Sequence, residues 1–281
     1  MNEEVRQQLS EILGAEPRSV KRLHGGCIAE VYGVHLPDGK VVAKVDDRGD
    51  LRLESFMLAY LKEHSALPVP EVIHSSDTLL ILEYLPGSPQ NLQRAEPHAA
   101  ELFAALHGVR SKQYGLEKDT LIGPLPQPNP QAESWVDFFR EHRLRYMTKL
   151  ALESGNLPEP VAKRLETLAQ DLPNLLDEPP HPSLIHGDIW SSNVLAQGGK
   201  ITGILDPALY YADAEMELAY MSLFHTFGQT FFERYAELRE IREGFDSRRD
   251  LYNLYPLLVH VTLFGGSYAR RVEGTLRHFG Y

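Results

Sequence analysis

A short segment near the middle of the chain has the residue types needed for phosphoryl transfer. It reads His186-Gly-Asp-Ile-Trp-Ser-Ser-Asn193 and follows a short apolar run. Within it, Asp188 and Asn193 lie five residues apart on a predicted loop. A carboxylate on such a loop can accept the proton of an attacking hydroxyl, and an amide oxygen can hold a magnesium ion. The segment therefore predicts Asp188 as the catalytic base and Asn193 as a metal ligand.

A second metal ligand is predicted from the hairpin that follows. Two apolar runs, 194–196 and 201–205, flank Gln-Gly-Gly-Lys, and Gly-Gly is a turn signal between strands. A turn near Gly199 pairs residues whose numbers sum to about 397–399, so Asn193 falls within about two residues of Asp206. Single Asp and Asn residues near turns usually cap the chain or bind water. The ordered set of Asp188, Asn193 and Asp206 is more specific and favours a kinase-like site.

Composition narrows the classes of protein. The 281 residues suffice for a large core and two lobes, and 43% hydrophobic with 24% charged residues is ordinary for a soluble globular protein. A formal charge of −11 argues against nucleic acid or an anionic membrane as the main partner. There is one cysteine, so no internal disulfide can form, and no signal peptide or membrane-length apolar run is evident. We predict a cytoplasmic protein.

The N-terminal third reads as a helix followed by strands. We predict a helix over 3–14 and strands over 19–23, 31–36 and 40–45. The first two strands are joined by a turn that contains Gly25, Gly26 and Cys27. Glycines there would let backbone amides approach nucleotide phosphates. The pattern matches neither a dinucleotide fingerprint nor a P-loop, and a plain hairpin turn is an equal interpretation.

The next strand and helix predict an ion pair. Lys44 lies inside the apolar run 40–45, where a lysine on a solvated face is the ordinary alternative. In the following helix, for which Asp50 is the predicted N-cap, Glu54 shares one face with apolar residues. Those residues are Leu51, Leu58 and Leu61. A buried acid needs a partner, and Lys44 can supply it and then contact nucleotide phosphates.

A connector follows two further strands, predicted over 71–74 and 78–82. The second strand runs into Glu83-Tyr-Leu85-Pro-Gly, which reads as the link between an N-terminal lobe, 1–86, and a C-terminal lobe, 87–281. An adenine ring could donate a hydrogen bond to the Glu83 carbonyl and accept one from the Leu85 amide. The alternative is an ordinary strand exit.

The remainder of the chain is predicted to be mainly helical. In one loop, 111–131, Asn129 and Pro130 read as the N-cap and first residue of the next helix. The fold class is α+β: a bilobal kinase-like fold with an antiparallel sheet and one key helix in the first lobe. The predicted helices of the second lobe are 99–107, 131–153, 159–176, 213–226, 228–242 and 249–273.

The ordered motifs resemble those of a known family. Lysine, inward glutamate, connector, His-Gly-Asp-x-x-x-x-Asn and post-strand aspartate are similar to the aminoglycoside-phosphotransferase-like branch of the protein-kinase superfamily. More closely, the chain resembles the fructosamine kinase, or ketosamine kinase, family. The features that carry this are Trp190, the run 206–211 in place of Asp-Phe-Gly, the loop 120–129 with Trp135 and Phe138-Phe139, and the runs 254–258 and 263–268. One departure is Ala-Asp-Ala-Glu at 212–215, where Gly-His-Arg-Glu is frequent in the family; it leaves the substrate preference open.

The resemblance implies a reaction and its groups. ATP with Mg²⁺ would phosphorylate a hydroxyl, usually O3, of a ketose joined to an amine, including sugar adducts of protein lysines. The adduct then decomposes and frees the amine. By matching positions, Asp188 is the base and Asn193 and Asp206 hold magnesium. Lys44 contacts phosphates and Glu54 orients it.

The resemblance also assigns supporting residues. His186 and Glu217 would brace the catalytic loop, while Trp190 and Gln127 would face the substrate; for Trp190 the alternative is packing. Cys27 has two interpretations, a small loop residue or a thiol whose oxidation blocks the phosphate site, so we predict a monomer with a Cys27-linked dimer as the oxidised alternative. A kinase for aminoglycosides, choline or homoserine, and a pseudokinase without activity, are the competing hypotheses.

Overall fold

The computed structural model describes residues 3–23, 29–46 and 51–281, which form two compact units. The first unit is Met1–Ala99 with Ser192–Pro207, and the second is Ala100–Ser191 with Ala208–Tyr281. The predicted lobe boundary at residue 86 stays a prediction. In the described ranges, no helix combines the length and the apolar character that crossing a membrane requires.

The strands and helices have the following bounds. The strands are β1 Ser19–Arg22, β2 Glu30–Leu36, β3 Gly39–Val45, β4 Val72–Ser75, β5 Leu79–Glu83, β6 Thr120–Ile122, β7 Leu125–Gln127, β8 Ser183–Ile185, β9 Val194–Gln197, β10 Lys200–Ile204 and β11 Tyr210–Ala212. The α-helices are α1 Glu3–Leu13, α2 Leu51–His64, α3 Leu92–Leu106, α4 Trp135–Phe139, α5 Tyr146–Glu153, α6 Glu159–Leu175, α7 Ala214–Leu223, α8 Gln229–Leu238, α9 Phe245–Tyr252, α10 Leu254–Phe264 and α11 Ser267–His278.

The first unit is built on a five-stranded antiparallel sheet. Its strand order is β1-β2-β3-β5-β4. Strand β5 therefore lies between β3 and β4 and pairs with both, and β4 is the edge strand. Alternate residues of β2 and β3 point into an apolar core, onto which α1 packs through Leu9. The buried members of this core are Leu9, Tyr32, Val34, Val41, Ala43, Leu79 and Ile81. The five strands of this sheet lie within one residue of the bounds predicted from the sequence.

The first unit also contains the β9–β10 hairpin. Lys200 pairs with Gln197 and Ile204 with Val194, with one irregularity between Ile201 and Gly203. The residue numbers of these pairs sum to values within the predicted range of about 397–399. Gly198 and Gly199 form the turn with φ of 59° and 76°, a conformation that glycine adopts without steric cost. The local turn chemistry fixed this register, and the prediction is confirmed.

In the second unit, the helix predicted over 131–153 with Asn129 as its N-cap begins later than expected. The helical segment begins at Trp135, not at residue 131, because Ser134 is the N-cap and accepts a hydrogen bond from the Asp137 amide at 3.1 Å. It continues through a π-helical turn, Arg140–Arg145, into α5. The Asn129 N-cap interpretation is therefore wrong.

Asn129 instead belongs to a buried polar network. Its side chain is 1% exposed, donates to Thr120 Oγ1 at 2.8 Å and accepts from Arg143 Nη2 at 2.5 Å. Arg143 is fully buried, with its guanidinium 3.9 Å from the Tyr210 ring centroid. The network ties the short β6–β7 hairpin to the helical segment, and this hairpin was not predicted.

The C-terminal helix predicted over 249–273 is three helices. The chain breaks at Asn253, between α9 and α10, and again at Gly265 and Gly266, both with positive φ. Two successive residues with positive φ cannot continue a right-handed α-helix, so α11 starts anew at Ser267. The unit also pairs β8 with β11 antiparallel, which places Ile185, directly before the segment 186–193, beside Tyr210.

Candidate active site

In the first unit, β3 and α2 bring Lys44 and Glu54 together as predicted. Lys44 is 8% exposed and its Nζ donates to Glu54 Oε1 at 2.6 Å. It also pairs with Asp206, whose side chain is 39% exposed. Burial alone would lower the pKa of Lys44, but the Asp206 and Glu54 carboxylates outweigh it and raise that pKa. Lys44 is therefore a cation held between two carboxylates.

Glu54 is the less exposed of the two carboxylates, with 17% of its side chain accessible against 39% for Asp206. Burial raises the pKa of Glu54, the Lys44 charge opposes that rise, and Asp206 adds to it. A buried carboxylate that faces a second carboxylate needs the lysine between them. The arrangement holds the ammonium group in one place, as an aimed phosphate-binding lysine requires.

Asn193 and Asp206 meet at one end of the β9–β10 hairpin. The Leu205 amide donates to the Asn193 carbonyl at 2.9 Å, so the ladder continues one step beyond the Val194–Ile204 pair. Asp206 follows with φ 55°, a left-handed conformation in which aspartate is enriched among non-glycine residues. The predicted convergence is confirmed, while metal binding stays a prediction.

The donor set fits magnesium better than a metal that needs a full protein cage. Within the described residues, no group of three or more His, Cys, Asp or Glu side chains could hold a metal ion. Asp206 and Asn193 supply one carboxylate and one carboxamide. Magnesium is commonly held by one or two carboxylates, with the other positions filled by water and substrate phosphates.

In the second unit, the catalytic segment turns sharply after β8. His186 is fully buried, its carbonyl accepts from the Ala208 amide at 2.8 Å, and its Nδ1 accepts from the Asp188 amide at 3.3 Å. Gly187 has φ 87°, and a Cβ there would collide with the Ala208 carbonyl. Only glycine fits this approach, so His186 and Gly187 fix the path of the chain into Asp188.

Helix α7 braces this loop. Glu217 is 1% exposed; its Oε1 accepts from the Gly187 amide at 2.7 Å and its Oε2 lies 2.9 Å from His107 Nε2. His107 Nδ1 in turn lies 2.8 Å from the Tyr235 hydroxyl. The contact expected of Glu217 is present, and the two additional residues extend it to the end of α3, which His107 follows directly, and to α8.

Tyr220 contacts Asp188, and the sequence did not predict this contact. It lies one turn after Glu217 on α7, and its hydroxyl donates to Asp188 Oδ1. The only local signal was the three-residue spacing, which puts Glu217 and Tyr220 on one helix face. The resemblance had placed Glu217 against the catalytic loop, but it gave no role to Tyr220.

Gln127 has contacts that hold the fold together. It is 1% exposed; its Nε2 donates to Thr120 Oγ1 at 2.8 Å and to the Ala208 carbonyl at 3.0 Å, and its Oε1 accepts from the Tyr255 hydroxyl at 2.7 Å. These bonds fasten the β6–β7 hairpin beside residue 208. Its substrate contact stays a prediction, as does that of the half-buried Trp190.

Residues 212–215, where the sequence differs from the pattern frequent in the family, contribute two acids to a buried ion-pair cluster. Glu215 pairs with Arg242 and Arg248, and Asp213 accepts from the Tyr252 hydroxyl at 2.6 Å while capping α7. Burial would raise the pKa of Glu215, but hydrogen bonds and charge from the two arginines bring it below the usual value. These residues support the start of α7 from inside the unit.

The remaining predicted residues divide into two groups. Gly25, Gly26, Cys27 and the predicted N-cap Asp50 lie outside the described residues. Glu83 ends β5, with its amide donating to the Glu71 carbonyl at 2.9 Å, and Leu85 is half-buried just beyond it. Adenine binding by this stretch stays a prediction.

Comparison with solved structures gives the class of protein. An aminoglycoside phosphotransferase, solved in ternary complex with AMP-PNP and hygromycin B, superposes with a TM-score of 0.71 at 21% identity, covering 99% of both chains. A Thermobifida fusca protein assigned to the fructosamine-3-kinases superposes with a TM-score of 0.87 at 30% identity, covering 99% of this chain and 98% of that one. The fold is therefore α+β and protein-kinase-like, as predicted.

Sequence comparison gives the family. The fructosamine kinase family model matches residues 1–279. A Synechocystis sp. protein named probable ketoamine kinase is 35% identical over 97% of this chain and 95% of its own. The chloroplastic protein-ribulosamine 3-kinase of Arabidopsis thaliana is 35% identical over 67% of this chain and 58% of its own. The chain belongs to the fructosamine kinase family, and it is a phosphotransferase that acts on a hydroxyl group of ketosamines.

Proposed function

We propose that the protein transfers the γ-phosphate of ATP to O3 of ketosamines, such as the ribulosamine or fructosamine adducts of amines and protein lysines. The phosphorylated adduct then decomposes and releases the amine, so the outcome is deglycation. The observation that carries the phosphoryl-transfer part is the position of Lys44 between Glu54 and Asp206. The Arabidopsis relative named for ribulosamine supports the substrate.

On the nucleotide side, Lys44 donates to the phosphates and Glu54 keeps it aimed. Asp206 and Asn193 would hold magnesium, which neutralises charge on the phosphates when bound. Asp206 is the exposed member of the Lys44 cluster, with 39% of its side chain accessible, so its carboxylate is open to a bound cation. The Glu83 carbonyl and Leu85 amide bind adenine, and the sequence assigns phosphate binding to Gly25, Gly26 and Cys27.

On the sugar side, Asp188 accepts the proton of the attacking hydroxyl. Glu217 accepts a hydrogen bond from the Gly187 amide, directly before Asp188. The loop that carries the base is therefore held in place. Trp190 stacks on the apolar face of the sugar or of the amine substituent. Gln127 supports the substrate wall from behind, through its hydrogen bonds to Thr120, Ala208 and Tyr255.

The test is a kinase assay across synthetic ketosamines. Ribulose, erythrulose and fructose adducts of one amine are compared with an aminoglycoside, choline and homoserine, and phosphorus–proton NMR locates the phosphate. We expect turnover of ketosamines with the phosphate on O3 and none of the controls phosphorylated. Phosphorylation of a control in preference to every ketosamine would overturn the proposal. Cytoplasmic localisation and a monomeric state are part of the same proposal.

A further inference from the structure

Helix α7 contacts two consecutive residues of the catalytic loop through two side chains of one face. Glu217 accepts the Gly187 amide, and one turn later the Tyr220 hydroxyl donates to Asp188 Oδ1. The first contact restrains the backbone ahead of the base, and the second reaches the carboxylate itself. The helix therefore controls both the position of Asp188 and the environment of its charge.

The Tyr220 side chain is fixed before any substrate arrives. It is 7% exposed, and its ring lies 4.9 Å from that of Phe224 on the same helix. Burial, with the charge of Asp188, raises the pKa of Tyr220 well above 10. The phenol therefore keeps its proton throughout the neutral range and remains a donor.

We propose that Tyr220 is the positioning residue for the catalytic base: its hydroxyl holds Asp188 Oδ1, fixes the carboxylate rotamer and presents Oδ2 to the substrate hydroxyl. The role of Asp188 as base belongs to the proposed function, and this inference rests on it. Tyr220 touches no reacting atom and acts only through Asp188.

The bond has two separable consequences. A hydrogen bond to an ionised acceptor is stronger than one between neutral groups, so it orders the carboxylate. The same bond favours the charged form of Asp188 and lowers its proton affinity. Loss of the hydroxyl should then disorder the base and make it easier to protonate.

The first experiment does not depend on the substrate. Aspartate labelled with ¹³C in the carboxyl group is titrated by NMR in the wild type and in Tyr220→Phe, and Asp188→Asn assigns the Asp188 signal. We expect the Asp188 pKa to rise by about one unit or more in Tyr220→Phe, because a donor to a charged acceptor is lost. Site-specific 3-fluorotyrosine at position 220, a more acidic donor, should lower it. An unchanged titration in both variants would overturn the proposal.

The second experiment measures turnover of a ketosamine. We expect kcat of Tyr220→Phe to fall about ten- to a hundredfold, with KM for ATP changed less than about twofold. The matched control is Tyr268→Phe, which removes a phenol hydroxyl from the same aromatic cluster, where the Tyr268 ring lies 4.8 Å from His260, and keeps the Tyr220–Asp188 bond. Equal loss in both variants would mean that packing, not positioning, is disturbed.

The two experiments separate the two hypotheses. A shifted Asp188 titration without ketosamine turnover by the wild type would retain the Tyr220–Asp188 coupling and reject the proposed substrate. Wild-type turnover with an unshifted titration and an unchanged kcat in Tyr220→Phe would retain the substrate and reject the positioning role.

Discussion

The two compact units handle the charge of their functional side chains in different ways. In the first unit, Lys44 lies between Glu54 and Asp206, so charges of opposite sign balance one another. In the second, the Asp188 carboxylate receives a hydrogen bond from the uncharged phenol of Tyr220. The first arrangement depends on pairing between charged side chains, whereas the second depends on a hydrogen bond from a neutral donor.

The difference predicts different kinetic outcomes. A substitution in the Lys44 cluster upsets a balance of charges, so it should act mainly on the binding of nucleotide and metal. A substitution at the Asp188 loop leaves that balance intact, so it should act on the chemical step or on binding of the sugar. The four predictions that follow test this separation.

The largest effect is expected for Asp188→Asn. Its kcat should fall by about a thousandfold, because general-base catalysis is lost, while the nucleotide dissociation constant changes less than about twofold. Steady-state kinetics and calorimetric titration of a nucleotide analogue measure the two values. The exposed Asp137→Asn serves as control. A variant that keeps more than a tenth of wild-type kcat would remove Asp188 from the role of base.

Asp206→Ala should weaken both nucleotide binding and turnover. Loss of a metal-binding carboxylate is expected to cost about a hundredfold in kcat/KM for ATP, with a higher magnesium requirement. Nucleotide affinity is titrated at several magnesium concentrations, with the exposed Asp38→Ala in the same unit as control. Identical magnesium dependence in the variant and the wild type would contradict the assignment.

Glu54→Gln should have a smaller effect of the same kind. Lys44 would keep its pairing with Asp206 but lose one aiming partner, so kcat/KM for ATP should fall about tenfold. KM for the ketosamine should stay nearly constant. The control is Glu63→Gln, an exposed acid on the same helix. A loss confined to the ketosamine KM would break the proposed division between the two units.

Trp190→Ala should have the smallest effect and should fall on the sugar side. Loss of a stacking contact is worth about 0.5–1.5 kcal/mol, which is a few-fold to roughly tenfold in KM for the ketosamine. Trp190→Phe should recover part of it because a ring remains. Should only the melting temperature or the KM for ATP change, Trp190 is a packing residue.

Local patterns in the sequence determined much of the first unit. Short apolar runs between turn residues predicted the strands, and the Gly198–Gly199 turn predicted the register of β9–β10. Helical spacing put Glu54 on an inward face, where it meets Lys44. Each of these features depends on neighbours a few residues away or on one short turn. That is the range over which periodicity and turn chemistry carry information.

The resemblance of ordered motifs gave the family, and the comparisons confirmed it. It assigned Glu217 by matching position before any contact was known. It could not supply Tyr220, because that assignment needs the contact itself rather than a place in a motif.

Tertiary structure alone decided the contacts of the second unit. Asn129 precedes a proline and so has the local sequence of an N-cap. Its side chain instead accepts a hydrogen bond from the buried Arg143 guanidinium. The Asp188–Tyr220 bond joins residues 32 positions apart through the packing of α7 on the loop. Local sequence patterns do not predict such partners. A polar group buried by long-range packing binds whichever donor or acceptor the fold places next to it.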